Sequence, residues 1–164
     1  GLAFAEVRAA AQEVREGLKA CGLYCAPMVT GGKGVHVIVP LRRISEWDTV
    51  KYFAKTFATI LAERYPDRYT ATMSKAKRKG RVFIDWLRNE RGATAIAPYS
   101  LRARPGAAIA TPVTWDELAD LERPDGFHMD DVLDRLSRPC PLSGARPRGI
   151  GSEAVEALED WSQD

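Results

Sequence analysis

A glycine-rich turn that carries a lysine and a histidine is the first feature of this sequence that could do chemistry. Residues 30–36 read Thr-Gly-Gly-Lys-Gly-Val-His and connect two apolar segments, 23–29 and 37–41. Three glycines allow a tight turn whose consecutive backbone N–H groups can surround an anion. The flanking hydroxyl, ammonium and imidazole groups would suit a phosphate, although the spacing is not that of a Walker loop. These residues alone leave two interpretations open, a phosphate site and a hairpin turn with a solvated lysine.

A second stretch combines positive charge with a carboxylate. Residues 75–81 contain five cations, and the apolar residues that follow read as a short buried strand with Asp85 at its end. A carboxylate at a strand edge beside a cluster of cations could help to hold a metal-bound phosphate. The alternative is a solvated basic loop in which Asp85 is an internal salt-bridge partner, which is the usual meaning of a charge run considered alone.

Three long sequence motifs decide between these interpretations. They are Gly-Gly-Lys-Gly-Val-His-Val-Ile-Val-Pro-Leu, Met-Ser-Lys-Ala-Lys-Arg-Lys-Gly-Arg-Val-Phe-Ile-Asp and Arg-Gly-Ala-Thr-Ala-Ile-Ala-Pro-Tyr-Ser-Leu-Arg-Ala-Arg-Pro-Gly. In this order they closely resemble the polymerase domain of bacterial ligase D, an end-joining repair enzyme of the archaeo-eukaryotic primase superfamily. The resemblance runs from Gly1 to about Leu121. It implies that residues 1–121 are the C-terminal part of such a domain and that residues 122–164 are a helical or irregular tail of uncertain packing.

The resemblance also implies a role for individual residues. Asp85 matches the family's third metal-binding carboxylate and is therefore the expected catalytic and metal-binding residue. The residues expected at the nucleoside triphosphate are Thr30, Lys33, His36, Arg78 and Arg102. At position 30 the family usually has serine, and the hydroxyl donor is retained. Guanidinium groups can hold phosphate through two parallel hydrogen bonds, which a lysine cannot do. The lysines expected at a nucleic-acid backbone are Lys75, Lys77 and Lys79.

The elements that must position these groups follow from the apolar patterns. An amphipathic helix is predicted over residues 4–20 with a stop at Gly22, then strands over 23–29 and 35–40, and a helix from about 45 to 65. Strands are predicted over 69–73, 81–85 and 94–97, and helices over 129–136 and 153–161. Capping boxes are expected at residues 45–48 and 114–117. Residues 138–151, rich in Pro, Gly and Arg, are predicted to form a linker or a mobile segment.

The order helix, strand, strand, helix, strand supplies five elements of a βαββαβ unit. The predicted fold class is therefore α/β (α+β), an RRM-like primase-polymerase core without its first strand, followed by short C-terminal helices. In the resembled family that strand lies in the middle of the sheet and carries an Asp-x-Asp pair that binds the catalytic metals. We expect this chain to begin just after it.

Composition sets few limits on function. The net charge of +2 is nearly neutral, so the local clusters of cations matter more than the total. No apolar run approaches the length of a membrane span and no signal peptide is recognisable, which predicts no membrane partner. The odd number of cysteines, without secretory context, indicates reduced thiols in the cytoplasm.

The resemblance implies a nucleotidyltransferase, a primase-type DNA/RNA polymerase of bacterial non-homologous end joining that adds ribonucleotides or deoxyribonucleotides to DNA ends by a two-metal mechanism. Its expected cofactors are Mn²⁺ or Mg²⁺. Its expected partners are DNA ends with a 5′-phosphate, nucleoside triphosphates, Ku and the ligase module, in the bacterial cytoplasm near the nucleoid. Two alternatives stay open. One is a non-catalytic nucleotide- or nucleic-acid-binding fragment, because the Asp-x-Asp motif is missing. The other is a site completed by another chain that supplies the missing strand.

Overall fold

The computed structural model describes residues 2–163 and shows five α-helices and five short strands in that range. In chain order the elements are α1 (Phe4–Ala20), β1 (Ala26–Val29), β2 (Val35–Ile38), α2 (Trp47–Arg64), β3 (Tyr69–Thr70), β4 (Val82–Phe83), β5 (Thr111–Pro112), α3 (Trp115–Asp120), α4 (Met129–Arg135) and α5 (Ser152–Gln163). A single 3₁₀ turn, Ala76–Arg78, lies in the basic run. The predicted mixed helix-and-strand class is confirmed.

The first helix has the predicted bounds, and its end explains why. Gly22 follows the helix with a positive φ of 71°, a conformation that glycine adopts without steric cost. Its N–H donates to the Lys19 carbonyl, and the N–H of Leu23 donates to the Leu18 carbonyl, both at 2.9 Å. These two bonds form a Schellman motif, which satisfies carbonyls that the helix itself leaves unpaired.

The strands form two separate small sheets. The first has the order β2-β1-β5 with antiparallel pairing, and His36 lies opposite Met28 in its register. The second pairs β3 with β4 in parallel. In the first sheet β2, which carries His36, is an edge strand. In the second sheet β4, which ends shortly before Asp85, is an edge strand. The main core lies beneath, where α1 and α2 pack with α5 and the partly buried strand residues.

Three local predictions need correction. The helix α2 begins after Glu46 without a side-chain cap, so Ser45 lies one residue outside the cap position, and its hydroxyl donates to the Ile150 carbonyl at 2.7 Å. Residues 94–97 form no strand. The proline- and glycine-rich segment 138–151 is held to the core, since the Arg42 N–H donates to the Arg148 carbonyl at 2.9 Å and Ile150 is buried.

The capping box at Thr114 is confirmed. The Thr114 hydroxyl accepts from the Glu117 N–H at 3.1 Å, and the Glu117 carboxylate accepts from the Thr114 N–H at 2.8 Å. Arg135 also donates to this carboxylate at 2.7 and 3.0 Å, which ties α4 to α3 and lowers the Glu117 pKa to about 2. No helix among residues 2–163 is long and apolar enough to cross a bilayer.

The tail helix α5 is seated in a notch at Gly17. A Cβ at this position would lie 2.7 Å from Trp161 Cζ2 and 2.8 Å from Phe57 Cζ. The Trp161 and Phe57 rings are stacked, with centroids 5.0 Å apart. The absence of a side chain at Gly17 is therefore what lets Trp161 reach the core.

We expect Gly17→Ala to lower the free energy of unfolding by about 1 kcal/mol, since overpacking costs 1–3 kcal/mol and the helix propensity of alanine returns only about 1. Urea unfolding followed by circular dichroism measures it. In a Trp161→Leu background the same substitution should cost less, since only the close contact with Phe57 remains. Equal losses in both backgrounds would contradict the notch.

Candidate nucleotide-binding cleft

A cleft of about 1010 Å³ separates the two small sheets. Its floor is apolar and comes from the inner faces of α1 and α2, including Val14, Phe53 and Phe57. One side is formed by residues 35–39 and the other by residues 82–86. The two predicted chemical segments therefore face each other across one space.

The sides of the cleft are strand edges. Successive side chains of a strand point to opposite faces of a sheet, so a single face would contribute only alternate residues. Here five consecutive residues line the cleft on each side. On β4, the N–H groups of Val82 and Ile84 donate to carbonyls in and beside β3, at 2.8 and 2.9 Å. The intervening Phe83 backbone therefore faces the opposite edge, toward the cleft.

The glycine turn lies at one end of β2. The Thr30 N–H donates to the Gly34 carbonyl at 3.1 Å, and the Thr30 hydroxyl donates to the same carbonyl at 3.0 Å. Gly31 has a φ of 65°, which favours glycine. In this structure the threonine hydroxyl therefore closes the turn, and its predicted contact with phosphate stays a prediction.

Two arginines lie over this turn. Arg102 packs on Gly31, where a Cβ would meet its Cγ at 2.9 Å. A Cβ at Gly32 would lie 3.5 Å from Nη1 of Arg104 and 3.7 Å from Nη2 of Arg102. Both arginines belong to a segment bracketed by two non-glycine residues with positive φ, Tyr99 at 63° and Ala107 at 45°. This segment therefore places two guanidinium groups beside the glycine turn.

His36 is half-buried on the cleft side of β2. Burial lowers the pKa of its imidazole below the ordinary value, and the charges of Arg102 and Arg88 act in the same direction. The Asp85 carboxylate opposes them and raises it. At neutral pH the ring is therefore mostly neutral and can donate one hydrogen bond and accept another.

We expect an NMR titration of the His36 ring to give a pKa below about 6.5, the value of an exposed histidine. Because the unfolded chain binds this proton more readily, the contribution of His36 to stability is present above the unfolded pKa and is lost as pH falls through the folded pKa. In Asp85→Asn the His36 pKa should fall further, since the carboxylate that raises it is gone. A pKa above that of an exposed histidine would show that the charge of Asp85 outweighs burial.

Arg78 reaches the cleft from the basic run. Its guanidinium lies 3.7 Å from the centroid of the Phe83 ring, and its Nε donates to the Thr72 carbonyl at 3.4 Å. These contacts hold the side chain on the cleft side of β4, where it lines the cavity. Lys75, Lys77 and Lys79 are exposed and do not line it, so they form a separate basic surface.

Asp85 is the only carboxylate among the described residues that line the cleft. Its Oδ1 accepts a hydrogen bond from the Leu87 N–H at 3.0 Å, which leaves Oδ2 free toward solvent and the cleft. Within residues 2–163 no group of three or more His, Cys, Asp or Glu side chains could hold a metal ion. A pair of Mg²⁺- or Mn²⁺-type cations needs several oxygen ligands, so Asp85 fits as one ligand and the described residues do not by themselves fit a two-metal site.

Sequence reasoning did not assign two residues that the structure places at the cleft, Arg88 and Arg104. Both belong to a local cluster of arginines, and the Arg-x-Arg spacing of Arg102 and Arg104 is the signal that could have identified the second. Of the predicted residues, Lys33, His36, Arg78 and Asp85 line the cleft. The others in the predicted nucleotide set lie at the adjoining turn, as described above.

Comparisons with known proteins agree with this arrangement. Residues 1–141 match the family model described as "LigD, primase-polymerase domain". A "Multifunctional non-homologous end joining protein LigD" of Mycolicibacterium smegmatis is 40% identical over 169 residues, covering 99% of this chain and 22% of that protein. The protein of the same description in Pseudomonas aeruginosa is 40% identical over 126 residues, covering 77% of this chain and 15% of that protein.

A solved structure is also similar. The polymerase domain from Mycobacterium tuberculosis Ligase D, determined in complex with DNA, superposes with a TM-score of 0.78 at 38% identity. The match covers 84% of this chain and 48% of that one. The chain thus spans about a fifth or less of the length of the curated relatives above and about half of the solved domain. The family match continues past Leu121, and the division of the chain near that residue stays a prediction.

Proposed function

The chain belongs to the LigD primase-polymerase domain family, and from this we propose that it forms the triphosphate-binding side of a nucleotidyltransferase that adds nucleotides to DNA ends in bacterial non-homologous end joining. The observation that carries the proposal is the convergence of Lys33, His36, Arg78 and Asp85 on one cleft from segments far apart in the sequence. Three of these side chains suit phosphate and the fourth suits a metal ion.

Each of these residues would act by binding and orientation. Lys33 would place a positive charge beside the phosphates, and the neutral His36 ring would donate to a phosphate oxygen. Arg78 is held against the Phe83 ring, so its guanidinium would donate to phosphate oxygens with little further loss of side-chain freedom on binding. The N–H groups of Thr30 and Gly31 already donate within the fold, so within this turn only those of Gly32 and Lys33 would face the same anion.

Divalent metal ions would stabilise the attacking and leaving oxygens of the transfer. Asp85 would be one ligand for them. Because no other carboxylate among the described residues lines the cleft, the remaining ligands would come from outside those residues. We therefore propose that a strand bearing an Asp-x-Asp pair docks in the cleft. Two unpaired edges facing each other above an apolar floor favour a strand as the occupant, because it would pair on both sides and join the two sheets into one.

Binding and turnover are tested separately. Titration of the chain with ATP, followed at the His36 ring by NMR, should show saturable shifts. The affinity should be reduced about tenfold or more in Arg78→Lys, because a charge-assisted bidentate contact is lost. The matched control is Lys77→Gln, which alters an exposed neighbour outside the cleft and should leave affinity nearly unchanged. Equal effects of the two variants would remove Arg78 from the site.

Turnover is tested by primer extension on gapped DNA with a 5′-phosphate, Mn²⁺ and ribonucleotides. The chain would be compared with a version lengthened at its amino terminus by a strand with an Asp-x-Asp pair, each with and without Asp85→Asn. We expect extension by the lengthened version and loss of it with Asp85→Asn. ATP binding without extension in any version would support a binding module. The absence of both ATP binding and extension would overturn the proposed function.

The remaining partners are extensions of the same proposal. The solved relative is in complex with DNA, and the exposed lysines of the basic run would suit a nucleic-acid backbone. Contacts of that kind weaken steeply with salt. Ku and a ligase module are proposed partners by family, at DNA ends in the bacterial cytoplasm.

A further inference from the structure

A second, smaller pocket opens on the other side of the glycine turn. Its volume is about 150 Å³, and its lining residues are Gly31, Gly32, Lys33, Arg104, Pro105, Gly106, Ala108, Arg123, Asp125 and His128. Lys33 and Arg104 also line the cleft, so the two cavities adjoin. A cavity of this order is large enough for benzene, and a phosphate group has fewer heavy atoms.

The lining of the second pocket is strongly biased toward positive charge. Lys33, Arg104 and Arg123 carry three positive charges, and the His128 ring adds a hydrogen-bond donor. The single carboxylate is that of Asp125, and it is already paired with Arg123 through hydrogen bonds of 2.7 and 3.1 Å. An anion entering the pocket therefore meets more cations than the one carboxylate can neutralise.

Backbone geometry brings these groups together. The Gly31 N–H donates to the Pro124 carbonyl at 3.2 Å, which holds the loop bearing Arg123 and Asp125 against the glycine turn. His128 is exposed, and a Cβ at Gly106 would lie 4.0 Å from its Cε1, which places the imidazole beside the turn at Gly106. The Ala107 N–H donates to the Arg104 carbonyl at 2.9 Å and fixes the position of that turn.

We propose that the second pocket is a phosphate-binding subsite, beside the cleft, that holds a phosphate group of a nucleotide or of a nucleic-acid backbone. Three cations from three different segments surround a space of phosphate size, and His128 supplies a further donor. The inference rests in part on the proposed function, because Lys33 and Arg104 line both cavities, and it goes beyond that function at Arg123, Asp125 and His128, which line only the second pocket.

The chain contains two histidines, and each lies in a different cavity. Titration with inorganic phosphate at constant ionic strength and pH, followed by ¹H–¹⁵N NMR of both rings, therefore reports on the two sites independently. We expect saturable shifts of the His128 ring. No shift at His128, or the same shift with chloride at equal ionic strength, would overturn the subsite whatever happens at His36.

Two charge variants test the assignment in opposite directions. Arg123→Gln should weaken phosphate binding at His128 about two- to fivefold, the range expected for exposed charges, since it removes a cation and leaves Asp125 unpaired. Asp125→Asn should strengthen it by a similar factor. Both residues lie on a loop surface, and thermal unfolding checks that each variant is folded. If both variants change binding in the same direction, charge does not govern the pocket and the proposal fails.

Two further ligands identify the source of the phosphate. A single-stranded oligonucleotide without terminal phosphates that shifts His128 alone assigns the pocket to backbone phosphodiesters. ATP that shifts His36 and His128 with one common saturation curve assigns it to the nucleotide. Either result supports a phosphate subsite. If the His128 ring shows no shift with either ligand or with inorganic phosphate, the subsite is overturned.

Discussion

Replacing Gly31 by alanine is expected to abolish measurable triphosphate binding and to lower the free energy of unfolding by about 2–3 kcal/mol. The residue has a φ of 65°, and its missing Cβ would lie 2.9 Å from Arg102 Cγ and 3.1 Å from the Ile109 carbonyl carbon. The second of these neighbours is backbone and cannot rotate away. The turn must therefore shift, and the donors that surround it shift with it. Isothermal titration with ATP and urea unfolding measure the two effects.

Gly34→Ala is the matched control for this prediction. Gly34 belongs to the same turn, but a Cβ there has no neighbour within 4 Å and its φ is not in the left-handed region. The control should change stability by well under 1 kcal/mol and weaken binding far less than Gly31→Ala does, although Gly34 also lines the cleft. If the two alanine variants behave alike, the close approach of Arg102 and the 108–109 backbone is not what shapes the turn.

Arg102→Lys is expected to weaken triphosphate binding by about ten- to a hundredfold while leaving the fold stable, because hydrogen bonds to charged groups contribute about 1.5–3 kcal/mol. The Cγ of Arg102 lies over Gly31 and its guanidinium lies near Gly32, where a planar fork can contact two phosphate oxygens at once. Lysine keeps the charge and loses the fork, so the experiment separates geometry from electrostatics.

Arg91→Lys provides the comparison, since Arg91 is exposed and lines neither cavity. Its affinity for ATP should match that of the unmodified protein. A loss in Arg102→Lys no larger than that in Arg91→Lys would mean that Arg102 supports the turn through its aliphatic part and does not bind the ligand.

Local sequence was sufficient for the helices and for the turn chemistry. The bounds of α1 follow from its apolar stripe and from Gly22, and the box at Thr114 follows from a hydroxyl and a carboxylate three residues apart. The box expected at Ser45 is absent because α2 begins one residue later, with Glu46 at its N-cap, and the Ser45 hydroxyl bonds to the distant Ile150 carbonyl. A long-range contact of this kind leaves no mark on the four residues of the motif.

The site was predictable only in part for the same reason. The sequence showed which residues could bind phosphate or metal, namely the glycines, the cations and Asp85, and the family resemblance assigned their roles. Their convergence on one cleft depends on how α1 and α2 place β2 and β4. The second pocket shows this most clearly. Arg123 and His128 carry no motif, and only the bond between the Gly31 N–H and the Pro124 carbonyl brings their loop to the glycine turn.

The parallel pair β3–β4 has a dynamic consequence. Tyr69 pairs with Val82 and Thr70 with Phe83, so the basic run is a loop tied at both ends by a ladder of only two residue pairs. Phe83 lies in this ladder and also lines the cleft. A strand bound along the outer edge of β4 would therefore slow the opening of the ladder, and amide hydrogens of the basic loop would exchange more slowly with deuterated solvent. Occupancy of the cleft would thus be coupled to the exchange of the loop that carries Lys75, Lys77 and Lys79 through one short strand.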